Sequence, residues 1–355
     1  MLAGKWMIGR HAHAWGILRQ PYLYDSGVLL AADMGGTKTL IGLFRRGPGR
    51  PEPAVVREFA TLDFDSLDEI VATFLDEAGT TQIDAACIGA AGQVSGLVAR
   101  LTNVPWLADA EPILHRIGDR PIELLNDLEA MAHVVPALDQ DEVAVLQDGM
   151  AVATGNAALI AAGTGLGEAL LHNINGKFVP AASEGGHADF SARTPREFAL
   201  VQELSLIYGR VDVERVVSGR GLINLFLFTH GTQDVRTACR VLGPDVDSFE
   251  LPAAVTRAAM NKHCEQCAEA LDMFVEAYGA EAGNLALRAV ATAGVYLGGG
   301  IAPKILPALE GGAFLAAFHD KEPMADFMRT LPVSVILNPA AGLLGAAMRA
   351  TRIGR

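Results

Sequence analysis

The sequence predicts an α/β protein of two domains with a ligand cleft between them, and three observations carry that prediction. The chain has 355 residues, beyond the length at which one hydrophobic core usually keeps growing. Apolar runs of strand length alternate with amphipathic helical periods, as in α/β folds. Two of the runs, 28–44 and 158–171, pass through a glycine turn and return, a weak internal repeat that suggests two similar half-folds.

Taken in order, Val28–Ala32 reads as a buried strand, Asp33–Gly36 as a turn and Thr37–Phe44 as the returning strand. Ser66 and Glu69 have capping-box spacing. Leu67, Ile70, Val71, Phe74 and Leu75 then fall on one helical face. Ile83–Ala90, Gly96–Leu101 and Pro121–Leu125 read as further strands, the last followed by a helix over about 128–135. From 136 to 150 the pattern lapses into Pro, Asp, Gln and Gly, which marks a boundary or hinge. The second hairpin runs from Ala158–Ala162 through the turn Gly163–Gly167 into Glu168–Leu171. From Glu197 to Leu309 the pattern is mostly helical, interrupted by the apolar run Gly294–Leu297 and Gly298-Gly-Gly300, and Pro339–Ala350 is a small-residue helix.

Composition narrows the function classes. Half the residues are apolar, 19% are charged and 38 are glycine, a globular make-up. With a formal charge of −13 and no run of Lys or Arg, the chain is not expected to bind nucleic acid. The longest uncharged apolar stretch, Ala289–Pro303 apart from its glycines, is too short for a membrane span. Residues 1–27 lack a secretory h-region and read as a loosely held basic arm rather than a transit peptide. Cys87, Cys239, Cys264 and Cys267 do not form a disulfide framework and fit a reducing cytoplasm. Cys264 and Cys267 should share one helix face. With only the neighbouring His263 and no second Cys pair, they read as structural thiols rather than a zinc site.

The candidate chemistry lies in the turns. No Walker A loop is present, but Asp33-Met-Gly-Gly-Thr-Lys38 points several backbone N–H groups into one concavity suited to phosphate, with Asp33 placed for a hydrated Mg²⁺. Taken alone it reads more readily as an ordinary hairpin turn. Gly163-Thr-Gly-Leu-Gly167 has the same two readings, and Gly298-Gly-Gly300 adds a third glycine segment that could converge on a nucleotide. Asn126-Asp127 follows a predicted strand and precedes a helix, where α/β sheets place reacting groups, yet it also fits a helix cap. Glu184-Gly-Gly-His187 offers acceptor and donor groups for adjacent sugar hydroxyls, or else a turn with a surface Glu. Glu214 alone would be a solvated charge.

Read together, the segments LLAADMGGTKTLIGLF, ACIGAAGQVSG, LTNVPW, ELLNDLEAMA, LIAAGTGLGEALL, SEGGHADF, ERVVSGRGLINLF, VYLGGGIAPKILP and NPAAGLLG, in that order from Leu29 onward, resemble the bacterial glucokinase family, within the larger group of hexokinase, actin and the heat-shock chaperone ATPases. The resemblance implies a two-domain actin-like, ribonuclease H-like fold with the active site in the inter-domain cleft. The small domain would comprise 28–137, joined by the C-terminal helix 338–355, and the large domain 138–337. It implies transfer of the γ-phosphoryl of ATP to the 6-hydroxyl of glucose, the first step of glycolysis, with Mg²⁺. By the same resemblance Asp127 is the catalytic base, and Asn126, Asp127, Glu184, His187 and Glu214 are sugar ligands, with Asn103 supporting them. Asp33, Gly35, Gly36 and Thr37 form the first phosphate segment, Gly163, Thr164 and Gly165 the second, and Gly299 and Gly300 the adenosine segment.

Residues 1–27 have no counterpart in the family, Lys38 stands where the family varies, and the cysteine-rich zinc motif of the related repressor and sugar-kinase branch is missing near His187. That last departure argues against a structural zinc. The rival readings are a kinase for another hexose, a non-catalytic sugar sensor on the same scaffold, and an ATPase of the actin or chaperone type. The first 27 residues are too short for a helix-turn-helix domain. The expected partners are the two small-molecule substrates, without nucleic acid or membrane. The oligomeric state, monomer or homodimer, is open.

Overall fold

A computed structural model describes residues 27–80, 82–101, 103–239, 241–242 and 250–354. The basic N-terminal arm lies outside these residues. Strands β1 (Val28–Met34), β2 (Lys38–Arg45) and β3 (Glu52–Ala60) lead into helix α1 (Leu67–Ala78). Then come β4 (Ala85–Ala90), β5 (Gly92–Ser95), β6 (Val98–Leu101), β7 (Ala108–Asp109), α2 (Glu111–Arg116), β8 (Ile122–Asn126) and α3 (Asp127–Ala132). The middle of the chain carries β9 (Val143–Gln147), β10 (Ala157–Ala162), β11 (Leu166–Ile174) and β12 (Lys177–Ser183). Helices α4 (Pro195–Tyr208), α5 (Gly219–His230), α6 (Val235–Ala238), α7 (Leu251–Met260) and α8 (Glu265–Ala289) follow. The last stretch is β13 (Gly294–Gly298), α9 (Leu306–Leu309), α10 (Ala313–His319), α11 (Ala325–Thr330), β14 (Val333–Ile336) and α12 (Ala341–Ile353). None of the described helices is long and apolar enough to cross a membrane.

The chain divides into two compact units, one of residues up to Ala137 together with Ala340 onward, the other Leu138–Pro339. In the first unit the sheet order is β3-β2-β1-β4-β8, with β1 antiparallel to β2 and parallel to β4, and β4 parallel to β8. Strands β1 and β4 are buried almost throughout, which is why both read as continuous apolar runs. Helix α12 lies on β1, β4 and α3. Its small residues permit the approach, and Arg349 fixes it with paired hydrogen bonds to the Glu123 carboxylate on β8 at 2.6 and 2.8 Å.

In the second unit the order is β12-β11-β10-β13-β14-β9. Beneath the sheet runs α8, whose buried Phe274 and Tyr278 stack edge-on with each other, and Tyr278 with Phe314 of α10. The Tyr278 hydroxyl donates to the carbonyl of Ile160 on the central strand at 3.3 Å.

Several local expectations change. The strand predicted over Gly96–Leu101 is β6, the second arm of a hairpin that turns at Gly96 with φ 62° and whose first arm, β5, lies outside that prediction. The two units part between Ala137 and Leu138, inside the stretch 136–150, but the rest of that stretch is not a linker, since it carries β9, which pairs with β14. The box at α1 is half made. Ser66 accepts the Glu69 N–H at 3.1 Å, but the Glu69 carboxylate turns to the Asp65 N–H instead, at 2.9 Å. Cys264 is not on a helix face with Cys267. It is the N-cap of α8, and its Sγ accepts the Cys267 N–H at 3.5 Å.

Candidate functional site

In the first unit the candidates gather at the carboxyl ends of the parallel strands. The register sets Asp33 beside Gly89 on β4, Gly89 beside Leu125 on β8, and Ala90 beside Asn126. Asp33, the last residue but one of β1, therefore stands one row before Asn126, which Asp127 follows. Asn126 does cap α3, accepting the N–H groups of Leu128 at 3.0 Å and Glu129 at 3.4 Å. Its side-chain nitrogen donates to the Gly92 carbonyl at 3.3 Å. The cap leaves Asp127 as the first helical residue, its carboxylate accepting the Leu128 N–H at 2.9 Å. A carboxylate at a helix N-terminus is stabilised as the anion, the form a proton acceptor needs.

The β1–β2 turn is closed by the Gly35 N–H on the Lys38 carbonyl at 2.9 Å, and braced by Thr61, whose hydroxyl donates to the Gly35 carbonyl at 2.9 Å. Gly36 and Thr37 stand at its tip, Thr37 exposed, with Asn103 alongside, its Cβ 3.3 Å from where a Gly36 side chain would begin. Asn103 thus lies beside the first glycine turn. Lys38 points to Glu58 at 3.0 Å. Burial holds the Asp33 carboxyl up at about 6, only partly offset by the Lys38 charge. The first turn of α12 reaches this carboxylate because residue 342 is glycine, where any Cβ would collide with it.

The second unit gathers its candidates at the carboxyl ends of β10 and β13. The turn is closed by the Gly163 N–H on the Gly165 carbonyl at 2.8 Å, with Thr164 exposed at the tip. The Gly219 N–H at the start of α5 donates to the Gly163 carbonyl, also at 2.8 Å. Glu214 is no solvated charge, since its carboxylate accepts the Leu166 N–H at 2.8 Å across the face of Gly165. The Glu184–His187 loop is sewn to the Asp212–Glu214 segment. Phe190 N–H bonds the Val211 carbonyl and Val213 N–H the Ala188 carbonyl, each at 3.0 Å, and His187 Nδ1 stands 3.7 Å from Asp212. Glu184 and His187 are exposed. Gly299 turns the chain off β13 with φ 80°, lying so close to Ala162 that a Cβ would fall 2.9 Å from its carbonyl carbon, and Gly300 faces open space.

In the sequence Glu168 stands only as the first residue of the returning strand. It is 1% exposed, beneath Gly185 of the His187 loop, with neither oxygen hydrogen-bonded to a described residue. Burial, reinforced by the nearby Glu281 carboxylate and opposed by Arg288, raises it to about 7. The signal available beforehand was a lone acid inside an apolar strand.

The glucokinase family model matches residues 30–353. The chain belongs to the glucokinase family. A glucokinase of Nostoc punctiforme is 37% identical over 339 residues, covering 92% of this chain and 99% of that one. A glucokinase of Mesorhizobium japonicum is 36% identical over 320 residues, covering 90% of each. Among solved structures, a glucokinase from an Antarctic psychrotroph superimposes with a TM-score of 0.79 at 27% identity, over 92% of this chain and 99% of that one. The glucokinase match begins at residue 30, so the basic arm lies outside it.

Proposed function

We propose that this chain is a glucokinase that transfers the γ-phosphoryl of ATP to the 6-hydroxyl of glucose, giving glucose 6-phosphate and ADP. The observation that carries the reading is that each unit brings its own candidates to the carboxyl ends of its parallel strands, the position where open α/β sheets bind ligands. The reaction needs both sets on one sugar and one nucleotide, in the inter-domain cleft that the family resemblance implies.

In this reading Asn126, Glu184, His187 and Glu214, supported by Asn103, hold the sugar hydroxyls, and Asp127 accepts the proton of the attacking hydroxyl. The turns at Gly35-Gly36-Thr37 and Gly163-Thr164-Gly165 cradle the polyphosphate with backbone N–H groups, and Gly299 and Gly300 lie along the adenosine. Asp33 fits a magnesium ion held through water. It is a hard oxygen donor whose burial makes the bare anion unfavourable, so a cation's charge would be welcome there. Such an ion, when bound, supplies charge neutralisation at the phosphates. Most of the acceleration then comes from positioning and from exclusion of water, which would otherwise compete as acceptor.

The test is Asp127→Asn. Turnover is expected to fall by about 10²–10⁴ while calorimetric glucose affinity stays near wild type. Wild-type turnover in that variant would remove Asp127 from the role. ADP release across a panel of hexoses decides the sugar, and a higher kcat/KM for mannose, fructose or an amino sugar than for glucose would redirect the assignment.

A further inference from the structure

The second unit holds a group of side chains that the phosphoryl-transfer reading does not use. His230 at the end of α5, Cys239 just after α6, Cys264 capping α8 and Cys267 in its first turn present one nitrogen and three sulfurs, all within 4.8 Å of one another. We propose that these four residues form a tetrahedral structural zinc site.

The spacing suits that ion. Zinc–sulfur bonds of about 2.3 Å and zinc–nitrogen bonds of about 2.0–2.1 Å at tetrahedral angles set ligand atoms about 3.7 Å apart for two sulfurs and about 3.5 Å for sulfur and nitrogen. Here Cys239 Sγ lies 3.6 Å from Cys264 Sγ, and Cys264 Sγ lies 3.5 Å from His230 Nε2. The imidazole is already oriented for the task. Its Nδ1 stands 2.7 Å from the Phe226 carbonyl, a distance at which Nδ1–H donates and the Nε2 lone pair is left facing the thiols. The ring also packs on Phe226, with centroids 4.3 Å apart, which restricts its rotation.

Charge fits as well. Three thiolates and a divalent cation leave one net negative charge, and the group sits at the N-terminus of the 25-residue α8, whose Cys267 N–H points at the Cys264 sulfur. Four protein ligands of this kind close the coordination sphere, so the site is structural rather than catalytic. It would staple the C-terminal end of α5 to the start of α8. The other end of α5 donates the Gly219 N–H to the Gly163 carbonyl, so the staple anchors the helix that supports the second glycine turn.

The zinc assignment stands independently of the sugar and nucleotide assignments. To test it, the full chain is purified without a metal-binding tag, dialysed in metal-free buffer and assayed for metal by mass spectrometry, with about one zinc per chain expected. A thiol-specific mercurial should release that zinc. Cys239→Ser and Cys264→Ser should each bring the content below about one tenth per chain, whereas Cys87→Ser, in β4 of the other unit, should leave it unchanged. Because the serine variants could misfold, cobalt(II) is also exchanged into the wild-type chain. The ligand-field and thiolate charge-transfer bands of a tetrahedral thiolate site are expected. Wild-type chain with less than about a tenth of a zinc, a cobalt spectrum of octahedral type, or an intact mass lower by one disulfide would each overturn the proposal.

Discussion

The two main sheets share one plan over five strands, the second adding β9 at its edge, and one difference within the shared plan falls on a single residue. In each, an edge strand and a hairpin run antiparallel, then two strands follow in parallel, as β3-β2-β1-β4-β8 and as β12-β11-β10-β13-β14. The last paired residues before the turns are Met34, facing Thr39, and Ala162, facing Leu166. Asp33 therefore matches Ala161, each beside a glycine of the next parallel strand, Gly89 or Gly298. The first copy carries a half-buried carboxylate where the second carries a methyl group. One backbone design thus supplies two glycine turns, and the strand leading in carries an acid in only one of them.

The comparison breaks most severely if the acid is copied. Ala161→Asp would bury a carboxylate, in a site now 6% exposed and without a partner, and should lower stability by roughly 3 kcal/mol or more in urea unfolding. Unchanged stability would mean the two positions are not equivalent. Erasing the acid is the converse. Asp33→Ala makes the first copy like the second, and its glucose-dependent ADP release should fall at least about a hundredfold, some 2.7 kcal/mol of barrier, with no loss of folding stability. A loss under about threefold would separate Asp33 from the phosphates.

Gly299→Ala forces a side chain at positive φ against the Ala162 backbone, so about 1–3 kcal/mol of stability should go, together with a raised KM for nucleotide. The smallest effect concerns the buried Glu168. Its folded pKa, about 7, exceeds the 4.5 of an ordinary glutamate, so the folded state holds the proton more tightly. The contribution of Glu168 to stability is therefore fully present below 4.5 and is lost as pH rises from there through 7. Glu168→Gln should flatten that decline, gaining about 1–2 kcal/mol over wild type at pH 8 and little at pH 4. Parallel pH profiles would place the charge elsewhere.

Much of this was legible in the sequence because buried parallel strands cannot disguise themselves: β1 and β10 are continuous apolar runs, and glycine turns punctuate them. Less of the edges was legible. Strand β3 is half-exposed, with Pro53 near its start, and β12 carries Pro180, so neither shows a clean period of two. Strand β9 hides between polar stretches because it lies at the sheet edge. At the site, the short motifs named residues but not their partners. That Asn126 caps the helix which carries Asp127, or that Glu214 accepts the Leu166 N–H 48 residues away, is decided by tertiary contact. The thiol group shows the limit most clearly. Only Cys264 and Cys267 are neighbours in sequence, while Cys239 and His230 arrive from 25 and 34 residues upstream of Cys264.

Helix α12 (Ala341–Ile353) packs on β1 and β4, strands about 250 residues or more before it in the sequence. During translation β1 and β4 therefore leave the ribosome long before the helix that covers them exists, while every residue of Leu138–Pro339 has already been made. A stop codon ahead of Ala341 would accordingly leave β1 and β4 uncovered at the face of the sheet where Gly342 meets Asp33.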